Sequence, residues 1–121
     1  MSKNIRISMF EVVGSPFCVA SDDGQKIYDH LDAALKADWN VVLSFRNVTA
    51  LTSAFLSVAV GQLYGMFNEE KIQTLLKIED AEPQDLALLD RVIRNAKLYF
   101  EDPKRFNQAV REVMGDDDDE E

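Results

Sequence analysis

Three features of this chain predict an α/β domain. Short apolar runs alternate with longer segments of helical spacing. The clearest run, Val41-Val42-Leu43-Ser44-Phe45, is β-branched at its start and bounded by polar residues. The segment that follows, residues 53 to about 67, is apolar on nearly every side. Strands that alternate with helices make a mainly parallel or mixed sheet covered by helices, joined by right-handed crossovers.

Taken in order, Ile5, Ile7 and Met9 alternate with Arg6 and Ser8, a period-2 pattern that predicts a strand. Gly14-Ser15-Pro16 marks a turn, and Phe17-Cys18-Val19-Ala20 reads as a second short strand. Ser21-Asp22-Asp23-Gly24 supplies turn and helix-start chemistry. Ile27, Leu31, Ala34 and Leu35 then share one face of a helix over residues 25–37. Residues 41–45 form the third strand, and residues 46–51 a loop. The helix over residues 53–67 carries Phe55, Val58, Ala59, Leu63 and Met66 on one side. Leu56, Val60, Tyr64 and Phe67 fill much of the rest, so it must pack on more than one side. A short helical or irregular stretch at 69–73 leads into a strand at 74–78. Pro83 opens a further helix whose stripe is Leu86, Leu89, Ile93 and Ala96. A last short helix starts at Asp102-Pro103, with Phe106, Val110 and Val113 facing inward.

Length bounds this to one domain, residues 1–114, followed by an acidic tail at 115–121. Formal net charge is −9, and six of the 22 acids occupy residues 116–121; the remaining 16 acids face 13 bases, so the rest carries only −3. Such a tail repels itself and is expected to be disordered, a solubilising end or a docking arm for a basic partner. The balance argues against direct nucleic-acid binding, which needs clustered Lys and Arg. No apolar stretch is long enough to span a bilayer, and the N-terminal MSKNIRISMFEVVGS lacks a signal-peptide core, so a cytoplasmic protein is expected. Cys18, the single cysteine, permits no intrachain disulfide.

Catalytic and cofactor chemistry finds little footing. One histidine and one cysteine cannot build a zinc site, so neither a metal nor a cofactor is expected. A nucleophile needs a base within reach, and His30 reads instead as a partly buried structural residue of the first long helix. Cys18 lies in an apolar run, where a thiol is inert. Gly14 and Gly24 are isolated, so no phosphate loop is present; Gly61 and Gly65, four apart, suit close packing against a neighbouring element.

The turn after the central strand remains. Ligands of open α/β sheets bind beyond the C-terminal ends of the strands. Thr49, Thr52 and Ser53 sit there, with Thr52 and Ser53 at the start of a helix. The pair is either an N-cap or a regulatory site, since a phosphate there would meet the positive end of the helix while altering a partner surface.

The stretch VVLSFRNVTALTSAFLSVAVGQLYG resembles the core signature of STAS-like domains. It is most similar to a small bacterial STAS-like family of unknown function. The resemblance extends from SDDGQKIYDHLDAAL to RVIRNAKLYF, from about Phe17 to Phe100. It implies a single STAS-like α/β domain, with a mixed sheet of about four strands packed by helices and an additional C-terminal helix. Anti-sigma factor antagonists, relatives of this family, carry Asp-Ser-Ser-Gly at this turn, and phosphorylation of one serine by a histidine-kinase-like ATPase releases the partner. Laid on this chain, Thr52 takes the aspartate position, Ser53 the first serine and Ala54 the second, the usual acceptor. A one-residue shift makes Ser53 the acceptor. The resemblance thus implies a non-enzymatic regulatory module that docks a kinase-like ATPase or related signalling protein through Thr49, Thr52, Ser53, Ala54 and Ser57, with Ser53 and then Thr52 as candidate phosphoacceptors. Two alternatives stand beside it: an anion- or small-ligand-binding domain that uses the same helix N-terminus, and a homo-oligomeric structural subunit suggested by the apolar outer side of that helix.

Overall fold

The computed structural model describes residues 3–101. The expected final helix from Asp102 and the acidic tail lie outside the described residues. The elements are β1 (Asn4–Ser8), α1 (Met9–Val13), β2 (Phe17–Cys18), α2 (Ser21–Lys36), β3 (Asn40–Ser44) and β4 (Ala50–Leu51). A helical run follows, made of α3 (Ser53–Leu56), a π turn (Ser57–Gly61) and α4 (Leu63–Met66). The described chain ends with α5 (Glu69–Leu75), β5 (Leu76–Glu79) and α6 (Pro83–Glu101).

The expected α/β class is the observed one. Its sheet divides into a three-stranded part, β1-β3-β5, and a separate pair, β2-β4. All the described pairs are parallel, where the sequence left room for a mixed sheet of about four strands. Strand order explains where the core lies. Passing from β1 to β3 and from β3 to β5 moves one step in the same direction each time. Right-handed crossovers in one direction lay all the connecting helices on one face. Ile7, Val41 and Leu43 point to that face and are buried. Asn4, Arg6, Lys77 and Glu79 point to the other and are exposed. Across this open face Arg6 reaches Glu79 at 2.6 Å and Asp80 at 2.9 Å, bridging β1 to β5. Beneath it the buried Ser44 hydroxyl donates to Asp80 at 3.1 Å and accepts from the Arg46 N–H at 3.2 Å.

Several boundaries depart from the sequence expectation for local reasons. Met9 begins a helix instead of ending a strand, because the Ser8 hydroxyl accepts from the Glu11 N–H at 3.1 Å. Gly14, with φ of 79°, closes that helix by donating to the Phe10 carbonyl. The loop expected over 46–51 contains β4, two residues too short to show a period. The strand expected from Thr74 starts at Leu76, since α5 runs on to Leu75. His30, expected to be partly buried, is exposed and lies 2.8 Å from the Lys26 carbonyl through Nδ1.

The helical run is covered over most of its surface, although Met66, expected on the same side as Phe55 and Leu63, is 58% exposed. Phe55, Leu56, Ala59 and Leu63 are fully buried and Val60 nearly so; each large side chain contributes about 1.5–3 kcal/mol. α2 crosses it at Gly24, which is part of the helix and not a turn residue. A Cβ there would stand 2.7 Å from the Phe55 carbonyl and 3.2 Å from Val58. A Cβ at Gly61 would stand 3.6 Å from Val92 and Ala96 of α6, and one at Gly65 would meet the Phe100 ring at 2.5 Å. Among the described residues, no helix is long and apolar enough to cross a membrane.

Replacing a helical glycine by alanine ordinarily stabilises by about 0.5–1 kcal/mol. Gly24→Ala has the opposite sign here. Thermal unfolding is expected to show a loss of about 1–3 kcal/mol, because the methyl group collides with backbone that cannot move aside.

Candidate functional site

The site is built where β2 and β4 lie side by side. Phe17 pairs with Ala50 and Cys18 with Leu51. The Thr49 and Ala50 N–H groups donate to the Pro16 carbonyl at 2.9 and 3.3 Å, and the Thr52 N–H donates to the Cys18 carbonyl at 3.3 Å. Each strand then turns directly into a helix, so the first turns of α2 and α3 lie close together, as the contact of Gly24 with the Phe55 carbonyl shows.

The hydroxyls of this turn have different tasks. Thr52 is half-buried and fully used. Its Oγ1 accepts from the Phe55 N–H at 3.1 Å, capping α3, and donates to the Val19 carbonyl at 2.9 Å. One side chain thus satisfies a free helix donor and ties the helix to the end of β2. Thr49 is exposed, with its hydroxyl 3.4 Å from the Pro16 carbonyl. Ser53 is exposed, and its hydroxyl has no hydrogen-bond partner among the described residues. Ala54 and Ser57 are also exposed, one and four residues further along the helical run.

Phe17 and Val19 are the residues that sequence reading missed as part of this site. An apolar run read as a strand suggests burial, yet Phe17 is 57% and Val19 41% exposed. Cys18 between them is fully buried. The alternation is that of a strand with one side in the core and the other in solvent. It was visible in the spacing only to a reader who knew which side the core lay on.

Electrostatics set limits on the site. Asp22 and Asp23 occupy the first turn of α2, so the positive end of that helix already has acidic side chains beside it. Burial, and then the charge of Asp23, pushes the Cys18 thiol up to about 11. Among the described residues, no group of three His, Cys, Asp or Glu side chains is placed to hold a metal ion. Two grooves, of about 400 and 220 Å³, flank Phe100 at the far end of α6. Of the predicted site residues only Ser57 lines one of them.

The family model of the STAS-like domain of unknown function (DUF4325) matches residues 23–86, just over half of the chain. This chain belongs to that family. The matched segment of the STAS-like domain runs from the first turn of α2 to the start of α6 and includes Thr49, Thr52, Ser53, Ala54 and Ser57. It leaves out β2 with Phe17, and Val19 just beyond it. No curated protein and no solved structure matches the chain.

Two outcomes follow for this STAS-like site. Thr52→Val removes both hydrogen bonds and is expected to cost about 1–2 kcal/mol in chemical denaturation, while Ser53→Ala stays within about 0.5 kcal/mol of the parent. The Cys18 thiol ionises in the unfolded chain near its ordinary value of 9 but in the folded chain only at about 11. A group raised in this way supports the fold below its unfolded value and loses that support as pH rises through the folded one. The melting temperature is therefore expected to fall between pH 9 and 11, less steeply in Cys18→Ala, which keeps Tyr28 and Tyr64, two phenols that burial also pushes up. An equal slope in both proteins contradicts this assignment.

Proposed function

We propose that this STAS-like domain is a non-enzymatic regulatory module that docks another protein through the face formed by Phe17, Val19, Thr49, Ser53, Ala54 and Ser57. The observation that carries the reading is the pair Phe17 and Val19, apolar and open to solvent beside the turn. Apolar anchors ringed by small hydroxyl residues suit a protein interface, in which the apolar groups supply the affinity and the polar rim the fit. The face also stands on fixed backbone, since Thr52 and the Pro16 and Cys18 carbonyls hold the turn in place. An interface of this kind loses little entropy on binding.

The partner we infer is a kinase-like ATPase or a related signalling protein, by likeness to the better known STAS-like antagonists. If a phosphoryl group is transferred at this turn, Ser53 is the acceptor. Its hydroxyl is open, whereas that of Thr52 is committed to the cap and to Val19. The anion-binding alternative is less well supported, because Asp22 and Asp23 stand at the neighbouring helix start and would repel an anion.

The test is affinity capture from the native host with the parent protein and two variants. Phe17→Asp and Ser53→Asp are each expected to lose, by tenfold or more, a partner that the parent recovers, with circular dichroism and melting temperature little changed. Equal recovery by both folded variants contradicts the assignment of this face.

A further inference from the structure

We propose that this chain pairs with a second copy of itself through the outer edge of β5, antiparallel about a twofold axis through Ile78. The inference is independent of the docking face and uses none of its residues. Among the described residues β5 pairs only with β3, so one row of its backbone groups faces outward. The Phe45 N–H donates to the Glu79 carbonyl at 2.9 Å, so Glu79 directs its backbone inward to β3. Backbone groups alternate along a strand. Lys77 therefore also points inward, and the N–H and carbonyl of Ile78 point outward.

Charge then selects the register. Lys77 and Glu79 both project from the open face of the sheet and are exposed. A twofold axis at Lys77 sets lysine against lysine, and one at Glu79 sets glutamate against glutamate. In both cases the like charges fall at the narrow, non-hydrogen-bonded position, where side chains are closest. An axis at Ile78 makes the outward-facing Ile78 groups a doubly hydrogen-bonded pair. It sets Lys77 of each copy against Glu79 of the other at the narrow position. Backbone direction fixes which positions are narrow, and side-chain charge then selects the centre at Ile78. Lys77 has no ion-pair partner among the described residues, and Arg6 occupies only Oε1 of Glu79. Charged edge strands ordinarily resist pairing; here the same charges reject other registers and admit one. The result is a continuous sheet of order β1-β3-β5-β5-β3-β1.

β5 has four residues, so the contact is small and belongs to the weak, transient class. Sedimentation velocity up to about 1 mM protein is expected to show a dimer that forms with rising concentration and weakens with salt. Lys77→Glu alone and Glu79→Lys alone each place like charges at both narrow positions and are expected to weaken association roughly tenfold or more. Mixing the two variants one to one restores opposite charge at both positions and is expected to restore association as a mixed dimer. Lys77→Glu leaves the Arg6–Glu79 contact untouched, so its behaviour decides the matter even if Glu79→Lys folds poorly. A parent protein that stays monomeric throughout, or a dimer that Lys77→Glu leaves intact, overturns the proposal.

Discussion

The fold depends on one constraint: the helical run over residues 53–66 is apolar on nearly every side and has to be covered on nearly every side. Leaving even two of its large side chains in water would forfeit about 3–6 kcal/mol, a large part of the stability of a domain this size. The chain meets the constraint by bringing neighbours unusually close. α2 approaches at Gly24, where there is no room for a side chain. α6 approaches from another side over Gly61 and Gly65. The π turn at Ser57–Gly61 takes part in both approaches, through Val58 beside Gly24 and through Gly61, and the Gln62 side chain donates to the Val58 carbonyl within it at 3.0 Å.

Covering the run also fixes where its first residue must sit. Thr52 is held from two directions, by its own helix and by the end of β2. With Thr52 in place, Ser53 and Ala54 have no role in the core and face outward. Because β2 runs beside β4, Phe17 on its outward side and Val19 just past its end join the same region. The face proposed for docking is thus a consequence of how the core closes: Thr52 holds the turn, while Ser53 and Ala54 beside it stay exposed. The open face of the three-stranded sheet has a similar origin. A strand order that advances in one direction leaves the second face without a covering helix among the described residues, and the exposed residues there are Asn4, Arg6, Lys77 and Glu79, suited to solvent or to another polar surface.

Much of this was legible in the sequence because it rests on periodicity. The stripe Ile27, Leu31, Ala34 and Leu35 and the central strand appear as their spacing predicts, and the all-round apolar helix does so apart from its π turn and the exposed Met66. The packing roles of Gly61 and Gly65 followed from their shared face. What stayed hidden depends on partners distant in sequence. Gly24 reads as a turn residue until Phe55 is set against it, and a two-residue strand such as β4 has no period at all. The short helix α1 did have a local signal, Ser8 followed three residues later by Glu11, but the alternation of Ile5, Ile7 and Met9 overrode it. At the candidate site, sequence identified the hydroxyls but not their division of labour, since only the position of the Val19 carbonyl separates Thr52 from Ser53.

The central claim is that the turn is a rigid platform held by Thr52 and carrying an exposed face. Amide hydrogen exchange of the free protein, resolved by residue, measures this most directly. The Thr52 and Phe55 amides, bonded to the Cys18 carbonyl and to Thr52 Oγ1, are predicted to exchange as slowly as amides of the β3 core. The Ser53 amide, at the open start of the helix, is predicted to exchange much faster. Fast exchange at Thr52 and Phe55, at rates matching Ser53, would contradict the account, because the turn would then be a mobile loop and the division of its hydroxyls would not hold.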